Sequence, residues 1–234
     1  MDFKNGIDIS IPYRTLPEAT SAWYVPPVKA EPVRMGDWVG SVAEGGSVNF
    51  RNLTLNPHGH GTHTECVGHI APEVYSVNQH LKQWFFDALL VTIEPEKHGE
   101  DLVITKTQII AAVGDSKPEA LILRTLPNSD KKLFTNYSSS NPPYIEAASA
   151  AWMREKNIKH LLLDLPSVDR EEDGGALAAH KAFWNYPENP RMDATITELI
   201  YVPNEVTDGE YLLNLQVAPI ENDASPSRPV LYSR

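Results

Sequence analysis

The chain has 234 residues, 41% of them hydrophobic and 22% charged, a composition that suits a soluble globular protein of one large domain or two small ones. Its formal net charge of −11 argues against non-specific binding to nucleic acid or to an anionic membrane, since both are polyanions and no Lys/Arg cluster reverses the average. The apolar runs are too short to span a bilayer, the lone Cys66 cannot form an intrachain disulfide, and Met1–Gly6 lacks the apolar segment of a signal peptide, so the expected compartment is the cytoplasm.

Residues 7–12 alternate apolar and polar and predict a first strand. From Pro17 to Pro32 prolines and aromatics predict an irregular but ordered loop. In it Trp23 and Tyr24, each an apolar body with a polar tip, suit the rim of a substrate pocket. Residues 47–55 predict a strand running into a histidine-rich stretch. Trp84–Ile93 reads as a buried strand, and Thr105 as the N-cap of a short helix through Ala112 that stops near Gly114. Ala120–Thr125 is a further strand. Pro143–Asn157 has a helical pattern, with Ile145, Ala148, Trp152 and Met153 on one face. Lys159–Asp164 predicts a strand, Ala176–Trp184 a short helix carrying His180, and Thr195–Val202 and Tyr211–Ala218 two more strands around an Asp208-Gly209 turn. Strands and helices intermix without a repeat or low-complexity linker, which predicts one α/β domain.

Asn56–His69 concentrates the chemistry. Four of the chain's eight histidines (His58, His60, His63 and His69) fall here with Glu65, Cys66 and three glycines. Imidazole and carboxylate are common ligands of zinc, manganese and iron, and glycine lets nearby side chains converge. His63 and Glu65, two apart, share a side of an extended segment. Cys66 is a weak nucleophile candidate, because such a thiol needs a lowered pKa and ligand neighbours favour a buried or metal-facing one. His80, His98 and His160 read as surface or packing residues, and Asp164, Ser167 and Asp169 as a turn network buttressing the site.

Gly61-Thr62-His63-Thr64-Glu65-Cys66-Val67-Gly68-His69 follows the pattern H-x-G-T-H-x-D-x-P-x-H from its glycine onward. Asp164–Asp169 matches a strand ending in aspartate followed by T-x-S-x-D, Thr197-Glu198-Leu199 matches an E-N-L strand start, and Asp223–Val230 approaches D-A-S-P-x-R-x-V. With these motifs in order, the chain resembles the cyclase family of metal-dependent hydrolases, which includes bacterial kynurenine formamidases and isatin hydrolases. The resemblance implies an α/β fold with a mixed β-sheet core flanked by helices, of the swivelling β/β/α type. It also implies a divalent metal ion, zinc or manganese, on His58 (or His60), His63 and Glu65. A second ion in some members would sit on Glu65, His180 and Glu198.

The family's first ligand falls on Gly59, between His58 and His60. Alternation along an extended segment does not separate these two histidines. His58 is favoured, with Gly59 and Gly61 absorbing its longer step to His63 as a bulge. The acid is Glu65 in place of aspartate, Val67 replaces the proline, and about six extra residues lie between His180 and Glu198. Imidazole, whose unperturbed pKa is near 6.5, suits proton transfer in both directions, which makes His69 the candidate catalytic base and acid. The expected activity is hydrolysis of a small amide, formamide or lactam by metal-activated water. A cyclase or dehydratase on the same metal, or a non-catalytic binding protein with altered ligands, are the competing readings. Members of the family commonly form homodimers or homotetramers, and self-association through the segment around Trp23 is expected.

Overall fold

The leucine- and valine-rich runs read as buried strands form the middle of one nine-stranded sheet. A computed structural model describes residues 3–234; residues 1 and 2 of the stretch read for a signal peptide lie outside them. The strands are β1 (Ile7–Asp8), β2 (His63–Glu65), β3 (Phe85–Ile93), β4 (Ala120–Thr125), β5 (His160–Leu163), β6 (Thr195–Glu198), β7 (Gly209–Asn214), β8 (Ala224–Pro226) and β9 (Val230–Ser233). Their order across the sheet is β1-β9-β7-β3-β4-β5-β6-β2-β8. β3, β4, β5 and β6 run parallel, and antiparallel strands flank them on both sides.

Three helices make the crossovers between the parallel strands: α1 (Lys106–Val113), α2 (Ala147–Glu155) and α3 (Ala178–Trp184). Side chains alternate across a strand, so Leu89, Val91, Leu121, Leu123, Leu161 and Leu163 pack with Ile109, Met153 and Phe183 of the helices. The intervening Ala88, Leu90, Ile122 and Leu162 pack on the other side with Ile9, Val77 and Leu213. A sheet buried on both faces needs continuous apolar strands, which is why β4 has no exposed residue. Each fully buried Leu or Ile contributes about 1.5–3 kcal/mol.

Local signals explain where several elements begin and end. Thr105 Oγ1 accepts from Gln108 N while the Gln108 side chain accepts from Thr105 N, a reciprocal cap that starts α1, and Gly114 closes it at φ 57°. Other boundaries differ from the sequence expectation. The helix read over 143–157 begins only at Ala147, because Tyr144–Ile145 pairs in parallel with Val103–Ile104. Ile145 therefore packs from a strand, Ala148 is exposed, and the buried helix face is Ser149, Ala150, Trp152 and Met153. β6 stops at Glu198, since Leu199 turns the chain at φ 55°. The first strand is only Ile7–Asp8, and the one expected over 47–55 shortens to Arg51–Thr54 in an exposed ribbon with Lys29–Pro32. Among the described residues no helix is long and apolar enough to cross a membrane.

His160 opens β5 as a packing residue. Its ring lies 4.0 Å from that of Phe86, its Nδ1 is 2.9 Å from Thr195 Oγ1, and burial, helped by Lys159, pushes its pKa down to about 3. The unfolded chain binds a proton near pH 6.5 that the folded chain refuses, so stability is lost as pH falls from about 6.5 towards 3. Replacing His160 by Phe is expected to lower stability at pH 7 but to remove up to about 1.4 kcal/mol per pH unit from the acid-side slope. Denaturant unfolding at several pH values checks this, and parallel slopes for the two proteins would contradict it.

Candidate active site

The site forms around β2, which lies between β6 and β8. Its register sets His63 opposite Glu198 and Thr64 opposite Thr197. Residues directly opposite in an antiparallel pair share a face, so His63, Glu65 and Glu198 project together while Thr64 and Thr197 join hydroxyls on the reverse side at 2.7 Å. Thr62 anchors the strand's entry: its Oγ1 accepts from Ile11 N at 2.7 Å and donates to Leu199 O. His63 Nδ1 is 3.0 Å from Gly61 O, which leaves Nε2 turned to Glu198 Oε2 at 3.3 Å.

His180 arrives from α3. The Asp169 carboxylate accepts from Ala179 N and His180 N at the start of that helix, and its Oδ2 lies 2.6 Å from His180 Nδ1. That contact turns His180 Nε2 towards Glu65 Oε1, 3.2 Å away. Ser167 Oγ accepts from Asp169 N, while Asp164 lies apart, taking Lys132 Nζ and Thr125 N.

His58 comes from a single helical turn, Pro57–His60, where an extended bulge was expected. Asn56 caps it by accepting from His58 N, and Pro57 occupies its first position. Two residues apart on a helix, His58 and His60 point in nearly opposite directions. His58 Nδ1 lies 3.1 Å from Glu65 Oε2. His60 faces away and is buried, with Nδ1 accepting from Asn56 N at 2.9 Å and Nε2 2.8 Å from Pro26 O. Gly59 lies under the loop before it, where an added Cβ would meet Val25 Cγ2 at 2.6 Å and Ala22 O at 3.1 Å. His69 stacks on His58 with ring centroids 4.3 Å apart, and its Nδ1 reaches Glu65 Oε2 at 3.8 Å.

Glu65 is thus fully buried among three imidazoles with no hydrogen bond to either oxygen. Six buried side-chain nitrogen or oxygen atoms among the described residues lack a hydrogen-bond partner, and four of them are here: both Glu65 oxygens, His63 Nε2 and His180 Nε2. Their neighbours are within ion-pair reach yet misaligned for hydrogen bonding. Buried polar atoms are normally satisfied, so this concentration marks a place shaped for something other than a protein donor. Imidazole nitrogens with carboxylate oxygens are a donor set for zinc or manganese. Ligand atoms of His63, Glu65 and Glu198 lie within 4.8 Å of one another, as do those of His58, Glu65 and His69. The residues fit a divalent ion.

The charges around Glu65 agree. Burial pushes its carboxyl up, but His69, His180 and His58 outweigh that and hold it well below the usual range. Burial lowers His180 and His58, yet the carboxylates of Asp169 and Glu65 beside the first, and of Asp223 and Glu65 beside the second, raise each to about 10. The cavity therefore favours positive charge beside Glu65.

A pocket of about 310 Å³ opens beside the cluster, with Trp23, Asn56, His69, Arg170 and Leu177 in its wall. Trp23, at φ 60°, lies in this wall. Tyr24 is not in the wall: it is 66% exposed, and its hydroxyl is held by Ser139 and Glu171. Cys66 is buried in the core beside Val77, its thiol pushed up to about 11 by burial, which suits neither a nucleophile nor a ligand. The residue that sequence reasoning missed is Asp223, whose Oδ2 is 2.9 Å from His58 Nε2 and 3.4 Å from His69 Nδ1. Its only signal was the first letter of the D-A-S-P match.

The family model described as "Putative cyclase" matches residues 7–170. Kynurenine formamidase of Bacillus thuringiensis (strain Al Hakam) is 28% identical over 193 residues, covering 82% of this chain and 83% of that protein. The protein of the same name from Bacillus anthracis is 28% identical over 200 residues, with 82% and 83% covered. Among solved structures, an isatin hydrolase bound to the product analogue thioisatinate superposes with a TM-score of 0.68 at 16% identity, covering 98% of this chain and 92% of that one. Isatin hydrolase A from Labrenzia aggregata gives 0.68 at 13% identity, covering 98% and 94%. These structures share the fold.

Because Val25 and Ala22 fill the space above Gly59, returning a histidine to that position does not rebuild a ligand. Gly59→Ala and Gly59→His are expected to destabilise the protein by about 1–3 kcal/mol, the cost of overpacking. Thermal unfolding checks it; an unchanged midpoint in Gly59→His would contradict the packing described.

Proposed function

The chain belongs to the cyclase family, and on that footing we propose that it is a metal-dependent hydrolase of a small amide, formamide or lactam. The observation that carries this reading is the set of four unpartnered buried atoms on His63, Glu65 and His180. Kynurenine formamidases as relatives support the substrate class, an aryl-formamide foremost.

In this reading His58, His63 and Glu65 would hold a divalent ion, zinc or manganese, and a second ion, where one binds, would rest on Glu65, His180 and Glu198. Such an ion, when bound, polarises a carbonyl oxygen and brings the pKa of a water towards about 7. The chain's own residues do the rest. Asp169 and Gly61 O hold His180 and His63 with their Nε2 atoms inward. His69, with Nδ1 turned to Asp223 and Glu65, keeps its other nitrogen for the pocket. It takes a proton from the attacking water as the new C–O bond forms at the carbonyl carbon. It then returns that proton to the nitrogen as the C–N bond breaks, releasing a carboxylic acid and an amine. Trp23 offers an apolar wall for the aryl part of the substrate.

Purified protein is expected to contain zinc or manganese and to hydrolyse N-formyl aryl amines. His69→Ala should lower kcat by about 10²–10⁴-fold with metal retained. His58→Ala should lose metal on folded protein, whereas His60→Ala should lose stability and keep it. Elemental analysis and a formamide panel decide this, and absence of metal with no turnover rejects the hydrolase.

The enzyme is further proposed to self-associate as a homodimer or homotetramer. Trp23 is committed to the pocket wall, so the support comes from Leu53, exposed on the Lys29–Pro32/Arg51–Thr54 ribbon, and from Met35 and Phe50, exposed in the segments next to it. Light scattering at micromolar concentration should give a multiple of the 26.0 kDa chain mass, and a monomer would reject it.

A further inference from the structure

One carboxylate oxygen, Asp223 Oδ2, reaches two histidines, 2.9 Å from His58 Nε2 and 3.4 Å from His69 Nδ1. The two rings are stacked at 30°, so the acid lies at the edge of both. Its place is fixed from the backbone. Asp223 O accepts from Cys66 N at 3.0 Å. Gly68 allows the approach, for a Cβ there would lie 3.2 Å from Asp223 Cβ and 2.4 Å from Tyr75 O.

A neutral imidazole that gives its N–H to a carboxylate presents the opposite nitrogen as a lone pair. His58 turns Nε2 to Asp223 and has Nδ1 3.1 Å from Glu65 Oε2, inside the ligand cluster. His69 turns Nδ1 to Asp223 and lines the pocket, leaving Nε2 for whatever enters. The same oxygen therefore selects opposite nitrogens on two adjacent rings. Asp169 holds His180 Nδ1 in the same manner, but serves one ring only.

We propose that Asp223 is a positioning residue that fixes the tautomers of His58 and His69 together, so that His58 offers Nδ1 to the metal and His69 offers Nε2 to the substrate. This rests on the metal-centre reading above and extends it. Carboxylates that orient metal-bound histidines raise metal affinity by holding the ring and increasing its basicity, so the first effect is on binding, before any chemistry. The second is on His69, which without Asp223 is free to exchange tautomers and present a proton where a lone pair is required.

The test uses zinc-loaded full-length protein: wild type, Asp223→Asn and Asp223→Ala. Chelator competition measures zinc affinity. Imidazole ¹⁵N NMR of the same samples, assigned with His58→Gln and His69→Gln, reads which nitrogen carries the proton. The expected wild-type spectrum has His58 protonated at Nε2 and His69 at Nδ1. Zinc affinity should fall about 10- to 100-fold in Asp223→Ala and less in Asp223→Asn, whose amide oxygen still accepts. His69 should become a tautomer mixture in Asp223→Ala. Wild-type rings protonated on the opposite nitrogens overturn the proposal, and so do unchanged affinity and unchanged tautomers in folded Asp223→Ala. The wild-type spectrum decides even if a variant fails to fold. No step depends on turnover: zinc binding with these tautomers but no formamide hydrolysis would keep Asp223 in this role and remove the hydrolase. A wild type that takes up no zinc would overturn both.

Discussion

A carboxylate removed from water with neither oxygen hydrogen-bonded is the constraint on which this structure depends. Burying an ionised group costs several kcal/mol unless charge of the opposite sign compensates it. Around Glu65 the compensation comes from His58 and His69 on either side of it in the chain and from His180 on α3. Remove any one and the others face an under-compensated anion. The histidines in turn are held by acids and a carbonyl behind them: Asp169, Asp223 and Gly61 O. The centre is therefore a closed shell of alternating charge, stable with protons on His58 and His180 and suited to exchanging them for a cation.

The sheet supplies the convergence. Residues 58–69, 169–180, 198 and 223 are far apart in sequence, and no local motif could assemble them. Placing β2 between β6 and β8 does so in one step, because the antiparallel register puts His63 against Glu198 and brings Asp223 in at the entry to β8. The parallel strand β5 then delivers Asp169, and α3 follows with His180. Thr62 and the Thr64–Thr197 contact pin β2 from below, so the functional face stands on a rigid floor.

Where one physical signal dominated, the sequence was legible. β3 and β4 are too apolar to lie anywhere but inside, and α1 has a cap at each end; their limits match within a residue or so. Elsewhere tertiary pairing overrode the local pattern, as when Ile145 joined Ile104 in a strand and delayed α2. His63, Glu65, His180 and Glu198 could be placed through motifs. The two mistaken expectations nearby share a cause. Alternation was assumed for His58 and His60 where Asn56 and Pro57 start a helical turn, and Tyr24 was assigned with Trp23 although successive residues rarely face one cavity. Asp223 stayed unseen because an acid acting through another residue leaves no spacing of its own.

Two departures from the family pattern, at Gly59 and at Glu65, meet at one place in the structure. With Val25 and the Ala22 carbonyl occupying the space over Gly59, no side chain fits there, and the nearest imidazole that can face inward is His58, one residue earlier. A helical turn swings that ring inward and gives it a partner in Asp223. Glu65, one methylene longer than aspartate, reaches both sides at once: Oε2 to His58 and Oε1 to His180. A shorter acid on the same strand would have to give up one contact for the other. Loop packing over Gly59, the inward-facing His58, Glu65 and Asp223 therefore form one set of contacts, and altering one disturbs the geometry of its neighbours.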